Sequence, residues 1–366
     1  MLVISRAVRI NRVRSRLVSR TSLARETKLL TTEAVPEGET PNNGDCLVSA
    51  LNSAQDIMVR AVSCRETVQE SILRNDLSQN AGQKLAEVMA STMLMGAGLK
   101  ANETLQVNLV GGDPNRIRNV MVVTDGDLSV RGLVGNPRFS LGTKKGRGGE
   151  CPTMEVFGEG GQVQVVRNHP EFKKPQVGIV KMRDADVSLN LALYLQESEQ
   201  RTAAIITDVF VEGNLCRHAL GVIVERLPGV TDDNIETSIS NLGELESKGL
   251  RSYLTRTPEE LEAAEKADTS GEMFRDFEPV LERMLDDVLV KMDEGGTLRW
   301  TKNPSFRCTC GIDRVWRTLS ILPKEDLVGI VEQEESVSIK CEFCGSEYSV
   351  TKQEIRERLL DGAKTD

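Results

Sequence analysis

Two cysteine doublets near the C-terminus are the residues best placed to do chemistry. Cys308 and Cys310 form a C-x-C, and after thirty intervening residues Cys341 and Cys344 form a C-x-x-C. Four thiolates can close a tetrahedral zinc site without histidine or water. Each doublet can also close into a short disulfide once a metal has left. The metal therefore either holds a fold together or is itself the thing whose loss matters. Iron–sulfur ligation fits less well, because this spacing matches neither common ferredoxin pattern. Cys46, Cys64, Cys151 and Cys216 are scattered singly. They read as small buried hydrophobes, not as a secreted disulfide scaffold.

Other residue groups offer less. The two histidines are His169, before Pro170 in a turn, and His218, beside Arg217. Neither has the neighbours of a nucleophilic triad. Gly111-Gly112-Asp113-Pro114 lacks both G-x-G-x-x-G and a following Gly-Lys-Ser/Thr. The basic loop Thr143 to Gly149 also fails the phosphate-loop pattern. No enzyme activity is expected.

Ordered elements must hold the doublets. Ser336 to Lys340 alternates as a strand into Cys341, and Glu347 to Val350 can return as its hairpin partner, which puts Cys341 and Cys344 on a turn. Gly311 and Gly345 follow the two doublets, where glycine eases backbone curling around a metal. Thr351 and Glu354 make a capping box for a final helix through Leu360. Pro323 to Asp326 starts a helix inside the spacer. Metal binding in so small a module contributes folding free energy directly.

The chain of 366 residues allows two or three domains, with a core poor in aromatics at 4%. It carries no uninterrupted apolar run long enough to span a membrane. Its formal net charge of −9 argues against general affinity for nucleic acid. Residues 1–25 contain seven arginines and no acid, and without them the charge is −16. Ile10, Val13 and Leu17 alternate with arginines at helical spacing, the pattern of an organellar transit peptide. A mitochondrion is expected, with a plastid as alternative, or the cytoplasm if the segment is not a targeting signal.

The fold class expected is α+β. Residues 1–45 are a leader and unstructured tract, and residues 46–231 a strand-rich domain. Residues 232–302 are an acidic helical connector, and residues 303–366 a zinc-binding domain. From Val59 to Leu99 the pattern reads as mostly helical, with Leu85, Val88, Met89 and Met93 on one face of a buried helix. Strands follow at Leu105 to Leu109, Val120 to Val123, Leu128 to Gly132, Gln162 to Arg167, Val177 to Lys181, Ala204 to Val211 and Ala219 to Leu227. Asp186 to Glu197 reads as a helix with Leu189, Ala192 and Leu193 facing inward. In the connector, Val280, Leu281, Met284, Leu285, Val288, Leu289 and Met292 form an apolar stripe that needs a partner.

The segments Phe306-Arg307-Cys308-Thr309-Cys310 and Cys341-Glu342-Phe343-Cys344-Gly345, with Tyr348, resemble the redox-regulated 33-kDa heat-shock chaperone family. Gly111 to Pro114, Arg131-Gly132, Gly135-Asn136-Pro137 and Tyr194 to Gln200 are similar to family segments too. The resemblance runs from Val59 to Leu360. The acidic stretch Gly243 to Glu272 is longer than the usual linker. What the resemblance implies is a holdase without ATPase activity. One Zn²⁺ per reduced chain would be held by Cys308, Cys310, Cys341 and Cys344. Oxidation would pair Cys308 with Cys310 and Cys341 with Cys344, release the zinc and unfold the small domain. Exposed apolar surface would then bind unfolding client proteins, in a homodimeric active state, with no nucleic-acid or membrane partner. The residues alone leave a constitutive zinc module open. Two other readings compete: a structural zinc-ribbon adaptor in an RNA or translation complex, and a thiol oxidoreductase using Cys341 and Cys344.

Overall fold

The computed structural model describes residues 2–4, 44–141, 152–230, 232–254, 277–289, 297–333 and 335–361. It divides into two compact units. The first spans Asn42–Gly311 with Cys341–Ser346; the second contains Leu2–Pro41, Ile312–Lys340 and Glu347–Asp366. The boundaries expected at 231/232 and 302/303 do not coincide with the edges of these units. The connector helices and both cysteine turns belong to the first.

The first unit stacks two sheets around helices. A five-stranded antiparallel sheet has the order β11 (Leu298–Lys302), β2 (Cys46–Leu51), β3 (Ile57–Ser63), β10 (Leu215–Arg226), β9 (Ala203–Glu212). A six-stranded sheet has the order β12 (Ser305–Phe306), β6 (Ser129–Val134), β5 (Asn119–Asp125), β4 (Thr104–Val110), β7 (Gln162–Asn168), β8 (Gln176–Lys181). Helices α1 (Arg65–Asn75), α2 (Gln79–Gly96) and α4 (Val187–Glu199) contribute to the main core with these sheets. A short α3 (Thr153–Phe157) lies between β6 and β7 in sequence.

The strands from β4 to β10 fall where the sequence places them. β4 buries Leu105, Val107 and Leu109 and half-exposes the residues between, the period-2 pattern of a sheet with one covered face. The stretch read as helix from Val59 begins instead as β3, every residue of which is buried. A strand covered on both faces has no polar alternation, so Ile57–Ser63 carries no period that marks it as strand. α2 is buried, as its composition requires, and its one lysine, Lys84, pairs with Glu87 at 2.6 Å. Gly132 lets α2 close on β6: an added Cβ would sit 2.5 Å from Leu85 Cδ1.

The inward face of α4 is corrected. Val187, Leu191, Tyr194 and Leu195 are buried, while Leu189 is exposed and Ala192 and Leu193 are half-buried. Val187, Leu191, Tyr194 and Leu195 lie at helical spacing and set the buried face, and the Tyr194 hydroxyl donates to Glu199 at 3.2 Å. Glu199 also accepts from Arg167 on β7 at 2.7 Å and from Arg201 at 3.1 Å. Arg201 in turn pairs with the buried Glu225 on β10, which also holds Arg60 of β3. This chain of charges ties one sheet to the other through the end of α4.

The start of α1 has no local cap. Asp45 supplies one from upstream, accepting from the backbone N–H of Glu66 at 3.0 Å and of Thr67 at 2.7 Å, and from the Thr67 hydroxyl at 2.6 Å. Burial pushes its carboxyl pKa up to about 6 against these hydrogen bonds, which pull it down.

On the outer face of the five-stranded sheet lies a second core. The connector contributes α5 (Asp232–Lys248), a 3₁₀ turn (Leu250–Leu254) and the helix Glu278–Leu289. Val280, Leu281, Met284, Leu285, Val288 and Leu289 pack with Val48, Ala50, Val59, Ala61, Val222 and Val224. The stripe thus finds its apolar partner; Met292, its last expected member, lies outside the described residues. Asn241 Nδ2 donates to Val288 O at 2.9 Å, and the Arg251 N–H donates to Asp208 at 3.0 Å.

The second unit has its own small core of Val315, Leu319, Leu327, Val331, Val337, Ile339, Val350 and Ile355. β13 (Ser336–Cys341) and β14 (Glu347–Thr351) form the expected hairpin. The helix Lys324–Gln333 starts after Pro323, and Thr351 with Glu354 makes the capping box. Beside β13 lies β1 (Leu2–Ile4), a strand inside the segment read as a leader. Val3 and Ile4 are β-branched and favour extended backbone. The rest of residues 1–25, and the loop at 143–149, lie outside the described residues.

Candidate metal centre

The first doublet is delivered by a strand that joins the large unit. β12 pairs in parallel with β6, Ser305 opposite Ser129 and Phe306 opposite Val130. The Ser305 N–H donates to Leu128 O at 3.2 Å and the Arg307 N–H to Val130 O at 3.0 Å. Cys308 follows at once. The Arg74 guanidinium stands 5.0 Å from the Phe306 ring centre.

The second doublet sits on the turn between β13 and β14. The Gly345 N–H donates to Cys341 O at 2.8 Å and the Cys341 N–H to Ser346 O at 2.9 Å. Gly345 has φ +72°, a left-handed conformation that a side chain would strain. Gly311, read in the same way from sequence, has neither a positive φ nor a close neighbour, so its conformation does not require glycine. The turn is seated by Phe343. Its carbonyl accepts from Asn75 Nδ2 at 3.0 Å, and its ring lies 5.3 Å from the Arg131 guanidinium.

These two turns bring all four expected thiols together. The Sγ atoms of Cys308, Cys310, Cys341 and Cys344 lie within 4.8 Å of one another. Four sulfurs about 2.3 Å from a central zinc would stand about 3.8 Å apart. The nearest pairs run across the doublets, Cys308 to Cys341 at 3.7 Å and Cys310 to Cys344 at 3.2 Å. Cys341 and Cys344 are buried, and Cys308 and Cys310 are half-buried. Four soft donors with no carboxylate or imidazole suit zinc.

Protons are shared unequally in the cluster. Hydrogen bonds from Cys308 and then Cys341 hold Cys344 well below the usual thiol range, with Ser346 Oγ 3.2 Å away. Cys308 is raised, first by its contacts with the Cys341 and Cys344 thiols and then by burial.

The single cysteines are elsewhere. Cys46, Cys64 and Cys216 are buried in the large unit. Burial pushes the Cys216 pKa up to about 12 and raises Cys64 as well, so both stay protonated thiols. Cys151 lies outside the described residues. His169 meets Glu103 at 3.2 Å, and His218 meets Asp208 at 2.9 Å across the β9–β10 pair. Sequence reading missed the second contact, because a bulge between Cys216 and His218 sets the register that makes it. Asp208 uses its other oxygen to hold the connector at Arg251, which makes the pair a docking element. Gly111 and Gly112 pack against the backbone at Phe157 and Glu159, so they serve a close chain crossing.

A family model described as Hsp33 protein matches residues 45–351. The chain is similar to the 33 kDa chaperonin of Clostridium perfringens strain SM101, with 28% identity over 327 residues, 88% of this chain and 93% of that protein. It is similar to the 33 kDa chaperonin of Lactobacillus helveticus, with 26% identity over 317 residues, 86% of this chain and 96% of that protein. In fold it is similar to the crystal structure of the 33 kDa chaperonin (heat shock protein 33 homolog) of Thermotoga maritima. The TM-score is 0.69 at 21% identity, covering 88% of this chain and 100% of that one.

Proposed function

The chain belongs to the Hsp33 protein family, and from that premise we propose that it is a redox-regulated, ATP-independent holdase switched at its four-thiol centre. The observation that carries this is the convergence of four cysteines from two distant doublets to within 4.8 Å. The protein is a non-catalytic chaperone that binds unfolding client proteins.

In the resting state Cys308, Cys310, Cys341 and Cys344 would hold one Zn²⁺ per reduced chain. Bound there, zinc would supply a cross-link between the two turns and favour the deprotonated thiols. An oxidant of the peroxide class removes two electrons from each doublet. For each doublet one peroxide is consumed: an S–S bond forms between the two thiolates, the peroxide O–O bond breaks, and its two oxygens leave as two waters after taking up two protons from solvent. The pairing proposed is Cys308 with Cys310 and Cys341 with Cys344, following the family resemblance. Disulfide sulfurs no longer offer thiolate lone pairs, so the donor set is gone. The active state is proposed to be a homodimer, with neither nucleic acid nor membrane as a partner. No helix among the described residues is long and apolar enough to cross a membrane. The arginine-rich residues 1–25 support import into a mitochondrion, and a full-length chain confined to the cytosol would contradict that.

The test is aggregation of a denaturant-unfolded client followed by light scattering without ATP. Reduced, zinc-loaded protein should suppress scattering poorly and peroxide-treated protein well, with zinc release tracking the gain. Peptide mapping should find the two intra-doublet disulfides. Equal suppression by both forms would remove redox control. Stable zinc with no suppression in either form, and tight binding to one folded partner or RNA, would favour the adaptor reading.

A further inference from the structure

The edge of the five-stranded sheet is occupied by a strand whose own side chains are mostly exposed. β11 pairs antiparallel with β2, from Leu298 opposite Leu51 to Lys302 opposite Leu47. Four of its five residues are exposed, Leu298 by 59%. β2 beneath it is apolar and almost wholly buried. A long apolar edge of this kind is a template for another strand unless something covers it.

What secures β11 is mostly polar and comes from the connector. Glu278, Glu282 and Asp286 are spaced four apart on the helix Glu278–Leu289 and line one face of it. Thr301 donates to Glu278 at 2.6 Å, and Arg299 pairs with Asp286 and, at 3.8 Å, with Glu282. Lys302 adds bonds to Ala97 O at 3.0 Å and Gly126 O at 2.7 Å. At its far end the chain runs through the two-residue β12 straight into Cys308. So β11 is tethered on one side to the connector helix and on the other to the thiol centre.

Building on the chaperone reading above, we propose that β11 is a self-ligand, and that in the active protein an extended apolar segment of an unfolding client replaces it on β2. The backbone of β2 gives sequence-independent pairing. Side-chain complementarity comes from the face that the connector leaves. Val48 and Ala50, opposite Thr301 and Arg299, belong to the same core as Val59, Ala61 and Val222. Alternate apolar residues of a client strand would stand beside Val48 and Ala50 and extend the apolar face on which the Glu278–Leu289 helix now lies. This mode suits a holdase, because main-chain pairing accepts many sequences and alternating pockets select apolar ones.

Hydrogen exchange on the full-length protein tests this, with a reduced and carboxymethylated, permanently unfolded protein as client. Residues 46–51 should lose protection on oxidation and regain it when client is added. A synthetic peptide of residues 297–303 should restore the same protection and displace client, and the peptide with proline at Trp300 should do neither, since proline cannot donate to the ladder. Arg299→Glu, a surface change, should loosen residues 46–51 in reduced protein while metal content stays at the wild-type level. Client held with residues 46–51 still unprotected would overturn the strand-replacement mode and leave the chaperone reading intact. Protection that returns with rising protein concentration and no client would assign the edge to a second copy instead. Failure of the oxidised protein to hold any client would overturn both.

Discussion

Serine at both Cys341 and Cys344 should abolish metal retention in the reduced chain and raise its client capture to that of the oxidised protein. The two residues supply half the donor set, and both are buried where no other side chain among the described residues completes a four-thiol cluster. A structural zinc in a small module contributes about 10–16 kcal/mol of apparent binding free energy at neutral pH. That is as large as the whole stability of a typical domain, about 5–15 kcal/mol. The core of the second unit has eight buried apolar side chains among the described residues, too few to absorb such a loss. Its chain leaves the first unit after Gly311 and returns at Cys341. Thiolate ligation at both ends closes that thirty-residue excursion, and opening it restores the loop's conformational entropy. Elemental analysis of reduced protein reads the first effect, and light scattering reads the second. Replacing Cys46, Cys64 or Cys216 should leave metal content unchanged, since each is buried in the cores of the first unit apart from the cluster. Wild-type metal content in the double variant would refute the ligand assignment. Metal loss with activity still low would show that disulfide formation, not loss of the donor set, triggers the switch.

The thiol centre was legible because its chemistry depends on residue type and spacing, which are written locally. Both turns, the hairpin and the capping box at Thr351 follow from near neighbours in the chain. What escaped was set by partners far away. β11 and β12 carry Leu298, Arg299, Trp300, Thr301 and Lys302, then Ser305 and Phe306; the alternation of Leu298 and Trp300 with Arg299 and Thr301 is only four residues long and sits at the end of an acidic, helical-looking stretch. They are strands because the edges of β2 and β6 accept them. Asp45 caps α1 from twenty-one residues upstream of Glu66, a contact no helix-start pattern contains. The direction of α4 was misread because the aliphatic residues Leu189, Ala192 and Leu193 suggested one face, whereas Val187, Leu191, Tyr194 and Leu195 pack inward on another. Each miss is a case of tertiary structure overriding a local pattern. The apolar stripe of the connector was readable as a stripe, but the surface it covers was not.

Met284→Glu should release the connector while the metal centre stays intact. Met284 is fully buried between the Glu278–Leu289 helix and the five-stranded sheet, among Val280, Leu281, Val288 and the outer face of β2 and β3. Even truncation to alanine at such a position costs about 2–5 kcal/mol. The described residues that Met284 packs among are apolar, and burying an unpaired carboxylate there costs several kcal/mol more. The cheaper response is for the helix to leave the sheet. Its polar ties to the sheet are few and run to β11: Thr301 to Glu278 at 2.6 Å, and Arg299 to Asp286 and, at 3.8 Å, to Glu282. Exposed pairs of this kind are worth about 0–1 kcal/mol each and cannot hold the helix alone. In reduced, metal-loaded Met284→Glu protein, amides of residues 232–254 and 277–289 should therefore lose protection, while those of α2 keep theirs. Client capture should rise without oxidant. Met284→Leu, which nearly conserves volume, should leave both at the resting level. Loss of protection in α2 as well would mean global unfolding, and the experiment would pass to Val288→Ala, which removes apolar contact without adding charge. Unchanged connector exchange on oxidation of the wild-type protein would reject the connector as the moving part. Activity gained by Met284→Glu at wild-type metal content would place the docking contact downstream of the thiols: the metal centre would act by supporting that contact, and the apolar stripe would be what keeps the resting protein from binding clients.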